Sequence, residues 1–334
     1  MGSKVFVTGG TGFLGSHLLE ALCKEGFEVT ALYRTENKLN SFFEQDENLK
    51  KIKVNWVQGD LFSDNWSLEG FDFVFHLAGY VGYSKEDREI MEKVNVEGTR
   101  RVLDKIQEVK RLRPRLIYSS SVVAVGANTS SIGSLDEKSI YNISSYDFGY
   151  FETKREAEKI VKKFCKSGGD AIILNPSTIY GPRDMLKGSR KFQLRMAKGE
   201  LSVCSHGGVS IVHVQDVCDA FLKATFMGKS GDRYILSGDN ITIKTLLDEI
   251  ADLSSVSRVK IVIPTFMILF LGHVSSFLEK LGVKTGVSFE NLRVATMYHW
   301  FKNDKAKKHL EFSPRPYKES LKDSLEWAQN KGLL

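Results

Sequence analysis

The sequence predicts an α/β protein: a doubly wound parallel sheet followed by a smaller, mixed α/β C-terminal part. Three observations carry that reading. Short apolar strands alternate with helical patterns through the first half of the chain, which implies right-handed crossovers and a sheet covered on both faces. A glycine cluster stands between the first strand and the first helix. After Pro176 the alternation becomes irregular. The division expected is 1–175 for a dinucleotide-binding domain and 176–334 mainly for substrate, with some later segments returning to the first domain.

The elements follow in order. Strands are expected at Val5–Thr8, Val29–Tyr33, Val54–Val57, Phe73–Leu77, Leu116–Ser119 and Ala171–Leu174. Between them, Leu14, Leu18, Leu19 and Leu22 share a helix face that Gly26 ends. Val94, Thr99, Val102, Leu103 and Ile106 mark a second helix, and Tyr150 through Phe164 a third that stops at Gly168-Gly169. Beyond Pro176, strands near Leu201–Cys204, Ser210–Val214, Arg233–Leu236 and Val259–Ile263 mix with helices at Val217–Thr225 and Thr242–Leu253. Two polar amphipathic helices, Lys305–Leu310 and Lys318–Asn330, close the chain around Pro314-Arg315-Pro316.

Composition narrows the function classes. With 42% hydrophobic and 26% charged residues, the chain is neither disordered nor polytopic in a membrane. The 47 Lys and Arg stand interleaved with 41 Asp and Glu, so the net charge of +6 gives no basic patch for nucleic acid. The four cysteines, Cys23, Cys165, Cys204 and Cys218, have neither zinc nor redox spacing; free thiols in a reduced cytoplasm and no metal are expected. The N-terminal strand leaves no room for a secretory signal, and Phe6 breaks the myristoylation pattern. The apolar run Ile261–Leu271 contains Pro264 and is about half of the ~20 residues a span needs. Pro264–Leu281 is read as a helix whose Phe266, Phe270 and Phe277 join the core or cover a pocket; peripheral membrane contact is the alternative.

The chemistry is read from two places. Gly9, Gly12 and Gly15 give G-x-x-G-x-x-G: one glycine for the tight turn, one for close approach to a pyrophosphate, one for helix packing. The pyrophosphate would sit at the N-terminus of the following helix. At the end of the second strand stands Arg34, with Lys38 downstream and no acid in Ala31–Arg34, which favours the 2′-phosphate of NADP over the ribose of NAD. The second place is Ser119-Ser120-Ser121 at a strand end, with Tyr150 and Lys154 one helical turn apart on a helix. An ammonium beside a phenol favours the phenolate, so this pair can move a proton near neutral pH.

With these motifs in place, the sequence resembles the extended short-chain dehydrogenase/reductase family over nearly its whole length. Supporting segments are Gly59-Asp60-Leu61, His76-Leu77-Ala78-Gly79, Asn95-Val96-Glu97-Gly98-Thr99, Asn175 through Pro182, and Val212 through Val217. The resemblance implies a Rossmann fold and NAD(P) bound by Gly9, Thr11, Gly12, Phe13, Leu14, Gly15, Arg34, Lys38, Asp60, Leu61, Ala78, Gly79, Ser119, Tyr150, Lys154, Pro176, Thr178 and Ile179. It implies Ser121, Tyr150 and Lys154 as catalytic groups. Tyr80, Ser120, Tyr146 and Ser177 are candidate substrate contacts, with Ser120 also the alternative to Ser121. Asn95 reads as a brace, and His76 and His213 as hydrogen-bonded structural histidines.

Many nucleotide-sugar members carry an arginine four positions before the histidine of H-V-x-D. Here that position is Val209, and a diphosphate would need Arg183, Arg190 or Arg195. Tyr33-Arg34, Val209 and the C-terminal Phe312–Pro316 segment look like the dihydroflavonol-reductase-like and 3β-hydroxysteroid-dehydrogenase-like branch. The expected activity is hydride transfer between NADP and a fairly apolar ketone, aldehyde or secondary alcohol. The alternatives are a nucleotide-sugar epimerase or dehydratase and a non-catalytic NADP-binding regulator. The resemblance also suggests a homodimer through helices around 86–110 and 147–167; the sequence itself leaves the oligomeric state open.

Overall fold

The computed structural model describes residues 2–82, 84, 86–184, 188–281 and 289–334; at 188–190, 276, 279 and 280 only the backbone is described. The strands are β1 Lys4–Thr8, β2 Glu28–Tyr33, β3 Val54–Gln58, β4 Phe73–His76, β5 Arg115–Ser119, β6 Ala171–Pro176, β7 Thr178–Tyr180, β8 Val203–Ser205, β9 Gly208–His213, β10 Arg233–Leu236, β11 Asp239–Thr242, β12 Ile261–Ile263 and β13 Tyr298–His299. The helices are α1 Phe13–Lys24, α2 Glu36–Glu44, α3 Arg88–Met91, α4 Gly98–Glu108, α5 Gly149–Lys166, α6 Gly188–Ala197, α7 Val214–Met227, α8 Ile243–Leu253, α9 Thr265–Lys280, α10 Phe289–Ala295, α11 Asp304–Leu310 and α12 Tyr317–Asn330. A π-helical stretch, Glu92–Glu97, joins α3 to α4.

The main sheet has the order β10-β6-β5-β4-β1-β2-β3, and every pairing in it is parallel. Alternate residues of one strand feed two cores. Val5, Val7, Phe75, Ile117 and Ile172 meet Leu18, Leu19 and Leu22 of α1 and Val217 and Phe221 of α7. Phe6, Val74, Leu116, Tyr118 and Ile173 meet Val102, Leu103 and Ile106 of α4 and Ala157, Val161 and Phe164 of α5. Both faces are therefore dry, which is why these strands read as apolar runs. Position reverses between β1 and β4, so the loops after β1, β4, β5 and β6 crowd one edge of the sheet, where ligands of such folds bind.

After β6 the chain builds a second, smaller layer. β9 pairs with β7 and β13 in parallel and with β11 antiparallel. β8 and β12 form a separate two-stranded ribbon. A third core gathers Met196, Leu246, Leu247, Ile250, Leu321 and Leu325 from α6, α8 and α12. The strand at Arg233–Leu236 crosses back to the edge of the main sheet, beside β6.

One expectation fails here. Phe266, Phe270 and Phe277 do not enter a core: they are exposed on α9, and Ile268 is the apolar residue of that helix that is buried. The side of α9 that carries Ile268 and Gly272 is covered instead, and a Cβ at Gly272 would lie 2.8 Å from Phe289 of α10. Among the described residues, no helix is long and apolar enough to cross a membrane, and no cluster of His, Cys, Asp or Glu could hold a metal. All four cysteines are free thiols.

Candidate active site

The turn after β1 is built by three glycines doing three jobs. Gly9 takes φ +76°, and a Cβ there would lie 2.5 Å from the Ala78 amide nitrogen, so this turn lies backbone to backbone on the loop after β4. A Cβ at Gly15 would lie 2.2 Å from the Gly9 carbonyl oxygen, so α1 presses directly on the turn. Gly12 points the other way, and a Cβ there would meet only the Gly9 oxygen, at 3.3 Å. Gly12 also N-caps α1, with no side-chain cap and no acid in the first turn. The amides of a helix's first turn lack intrahelical partners and favour an anion, so this open end suits a pyrophosphate. Thr11, Phe13 and Leu14 flank it half-buried, the last two resting on the main core.

On the neighbouring strand, Arg34 follows β2, exposed and with no ion pair among the described residues; Lys38, on α2, is in the same condition. Asp60 is fixed by its own turn. Its Oδ1 accepts from Phe62 N at 2.9 Å and Ser63 Oγ at 3.0 Å, and its carbonyl accepts from Trp66 Nε1 at 2.9 Å. Leu61 is buried against Gly98.

The loop Ala78-Gly79-Tyr80 is stapled by Asn95. Its Oδ1 accepts from Tyr80 N at 2.8 Å, and its Nδ2 donates to Tyr80 O at 2.9 Å and Thr153 Oγ1 at 3.1 Å. Asn95 thus ties this loop to α5, the brace expected of it. Behind it, His76 links Thr8 Oγ1 at 2.7 Å to Thr99 Oγ1 at 3.1 Å. Burial and then the charge of Lys154 lower the His76 pKa to about 3, so this histidine is a neutral structural group.

Lys154 is buried on α5. Its Nζ donates to Ser119 O at 2.9 Å and lies 5.3 Å from the centre of the Tyr118 ring. A Cβ on Gly79 would stand 3.3 Å from that ammonium and from Asn95 Oδ1, so glycine leaves the space beside Lys154 open. Tyr150, one turn earlier, lies in a cluster with Met91, Ile143, Phe148, Phe151 and Met297, flanked by Tyr80, Tyr146 and Val294. Three predicted residues, Tyr80, Tyr146 and Tyr150, therefore share one apolar neighbourhood. The Tyr80 hydroxyl donates to Asp87 Oδ1 at 2.9 Å, and the Tyr146 hydroxyl accepts from Arg293 at 2.5 Å.

The serines after β5 diverge. Ser119 contributes its carbonyl to Lys154. Ser120 is buried, and its hydroxyl donates to Glu158 Oε1 at 2.7 Å. Ser121 is half-buried and caps the turn Val122–Ala124, its Oγ accepting from Val123 N at 3.4 Å, which leaves its proton to donate. After β6, Ser177 has a buried hydroxyl without a hydrogen-bond partner, while Pro176, Thr178 and Ile179 lie in the strands that pair with β10 and β9.

Three features escaped the sequence reading. Glu158 is a buried carboxylate that also accepts from Asn175 Nδ2 at 2.5 Å and faces Arg233 and Lys162, each at 3.5 Å. Its place four residues past Lys154 was the available signal. Glu290 of α10 accepts from Gly149 N at 3.2 Å at the start of α5, and burial raises its pKa to about 7. Arg293 stacks on Tyr146, 4.7 Å from the ring centre. No spacing rule linked these last two to α5.

The candidate diphosphate anchors are occupied elsewhere or undescribed. Arg183 is buried between Asp46 at 2.7 Å and Glu20 at 2.8 Å. Arg195 faces Glu200 at 3.4 Å, and the side chain of Arg190 lies outside the described residues. Val209 is buried in β9. His213 accepts from Gln215 N at 3.0 Å as the cap of α7, and burial lowers its pKa.

Known proteins share this architecture. The chain is 29% identical to "Putative dihydroflavonol 4-reductase" of Synechocystis sp., covering 100% of this chain and 97% of that protein. It is 27% identical to sterol demethylase protein B of Methylococcus capsulatus, over 98% and 99% of the two chains. The crystal structure of gox2253 superposes with a TM-score of 0.85 at 30% identity, covering 99% of each chain. The NAD dependent epimerase/dehydratase family matches residues 5–236. With its glycine turn and parallel sheet, this chain belongs to that family and is an NAD(P)-dependent oxidoreductase.

Proposed function

We propose that the protein is an NADP-dependent reductase or alcohol dehydrogenase acting on a fairly apolar ketone, aldehyde or secondary alcohol. The observation that carries this reading is the buried pair on α5: Lys154, tied to Ser119 O and facing the space that Gly79 keeps open, one turn from Tyr150 in an apolar cluster.

The cofactor fits the residues present. The open N-terminus of α1 would hold the pyrophosphate, Ala78 and Gly79 its nicotinamide side, and Pro176, Thr178 and Ile179 the ring. Arg34 and Lys38 would meet the 2′-phosphate, with Asp60 and Leu61 near the adenine. When bound, the nicotinamide supplies or accepts a hydride at C4.

The chain's own groups handle the proton. Ser121 donates a hydrogen bond to the substrate oxygen and fixes its position. In the reducing direction Tyr150 gives its hydroxyl proton to that oxygen as the carbonyl becomes an alcohol. Lys154 stabilises the phenolate left behind, and in oxidation the same path runs backwards. Tyr80, Tyr146 and Ser177 would border the substrate. Ser120 would act from behind, because its proton goes to Glu158.

An apolar substrate is favoured over a nucleotide sugar by Val209 and by the engagement of Arg183 with two carboxylates. Two relatives carry flavonol and sterol names, in keeping with apolar ring systems. The test is NADPH oxidation against a panel of carbonyl compounds. Tyr150→Phe is expected to lose turnover by about 10²–10⁴-fold while still binding NADPH. Full turnover by that variant would overturn the assignment.

A further inference from the structure

The outer face of α9 has no role in the site described above. Phe266, Phe270 and Phe277 are 73%, 67% and 62% exposed, and Met267, Leu271, Val274 and Leu281 lie exposed beside them. Spacings of four and seven residues put the three rings on one side of the helix. The face continues onto the neighbouring ribbon, where Ile261 and its register partner Val203 are also exposed. The whole is on the order of 700 Å², above the roughly 300–600 Å² of the largest apolar patch on an ordinary monomer.

We propose that this face docks the substrate-binding part of the protein on the surface of an anionic lipid bilayer. Residues 265–278 contain no Asp or Glu. Lys260, directly before Ile261, and Lys198, at the end of α6, are exposed and have no ion pair among the described residues. An aromatic apolar stripe with no acid along it and an unneutralised cation, Lys260, at its border is the pattern of a helix that lies in the headgroup plane. At 16 residues, α9 is about 24 Å long and too short to cross the hydrocarbon. A second copy of this chain fits less well. A two-fold contact would bring like cations together and would bury the stripe with few of the hydrogen bonds a protein interface carries.

The face is also connected to the catalytic helix. Gly272 brings α9 against Phe289 and Leu292 of α10, and α10 reaches the start of α5 through Glu290 and Tyr146 through Arg293. A lipid-seated α9 would therefore lie one helix away from Tyr150, on the side from which an apolar substrate could enter from the bilayer. Substrate entry rests on the reduction proposed above; docking does not.

Flotation of the full chain with vesicles tests docking without any turnover. Binding is expected with phosphatidylglycerol–phosphatidylcholine vesicles and at least tenfold less with phosphatidylcholine alone. The triple variant Phe266→Ser/Phe270→Ser/Phe277→Ser should lose at least tenfold in partition while keeping its thermal unfolding transition. Lys198→Gln/Lys260→Gln, which leaves the apolar face intact, should narrow the gap between the two vesicle types. Failure of the unmodified protein to float with anionic vesicles overturns the proposal, as does equal binding by the triple variant. A dimer in light scattering that the triple variant breaks, without vesicle binding, would assign the face to a second copy. Vesicle binding without carbonyl reduction would sink the proposed function and leave docking standing.

Discussion

The proposed preference for NADP turns on one side chain, Arg34. It stands at the end of β2, exposed and without an ion pair among the described residues, so its guanidinium is free to pair with a phosphate as a planar fork. Charge-assisted hydrogen bonds of this kind contribute roughly 1.5–3 kcal/mol. Arg34→Ser is therefore expected to raise the KM for NADPH about 10–100-fold and to leave that for NADH nearly unchanged. Steady-state kinetics with both cofactors decide it, and an unchanged NADPH/NADH ratio would return Arg34 to the solvated surface. The serines after β5 were less legible. Three consecutive hydroxyls look alike in sequence, but the alternation of an extended chain sends Ser120 inward to Glu158 and leaves Ser121 to cap the next turn.

At the scale of elements, α5 does more than present Tyr150 and Lys154. Glu158, one turn further, gathers Ser120 just after β5, Asn175 from β6 and Arg233 from β10, so one carboxylate fastens three neighbouring strands to α5. Removing one partner of a buried ion pair strands the others, at a cost of about 3–5 kcal/mol. Glu158→Ala should lower the unfolding free energy by about that much, and Glu158→Gln, which keeps the shape and one acceptor, by less. Denaturant unfolding measures both, and an alanine variant as stable as the parent would remove Glu158 from this role. Periodicity made α5 and the six strands of the first half legible, because the central strands of that sheet are buried on both faces and read as apolar runs, while β3 at the edge is half-exposed but still carries Val54, Trp56 and Val57. It could not reveal β7, β11 or β13, which are two to four residues long; β11 and β13 are also polar or half-exposed, and β7 is buried but too short to show a period. It also misjudged α9, since an apolar stripe of helical period reads the same whether protein or solvent lies against it.

The molecule as a whole is held by contacts between the parallel-sheet half and the chain after β6. His17 of α1 meets Pro182 O at 3.0 Å, and beside it Arg183 reaches back to Glu20 and Asp46. Arg315, near the C-terminus, pairs with Asp216 at 2.8 Å and ties the tail to α7. The pattern break at Pro176 is thus a packed seam, bridged further by β10 in the main sheet. This arrangement makes stability depend on pH. Burial, then the charge of Arg183, lowers the His17 pKa to about 3; burial, then Lys154, does the same for His76. Unfolding returns both to about 6.5. Between pH 6.5 and 3 the unfolded chain therefore binds more protons, so stability is complete above that window and falls as pH drops through it. Each histidine contributes a slope of about 1.4 kcal/mol per pH unit. His17→Gln, which can still donate to Pro182 O, should remove one such slope. Its unfolding free energy between pH 6 and 4 should decline less steeply than the parent's by about 1.4 kcal/mol per unit. Parallel pH profiles for the two proteins would mean that His17 takes up its proton in the folded state, and that the seam between the halves is wetter than its burial implies.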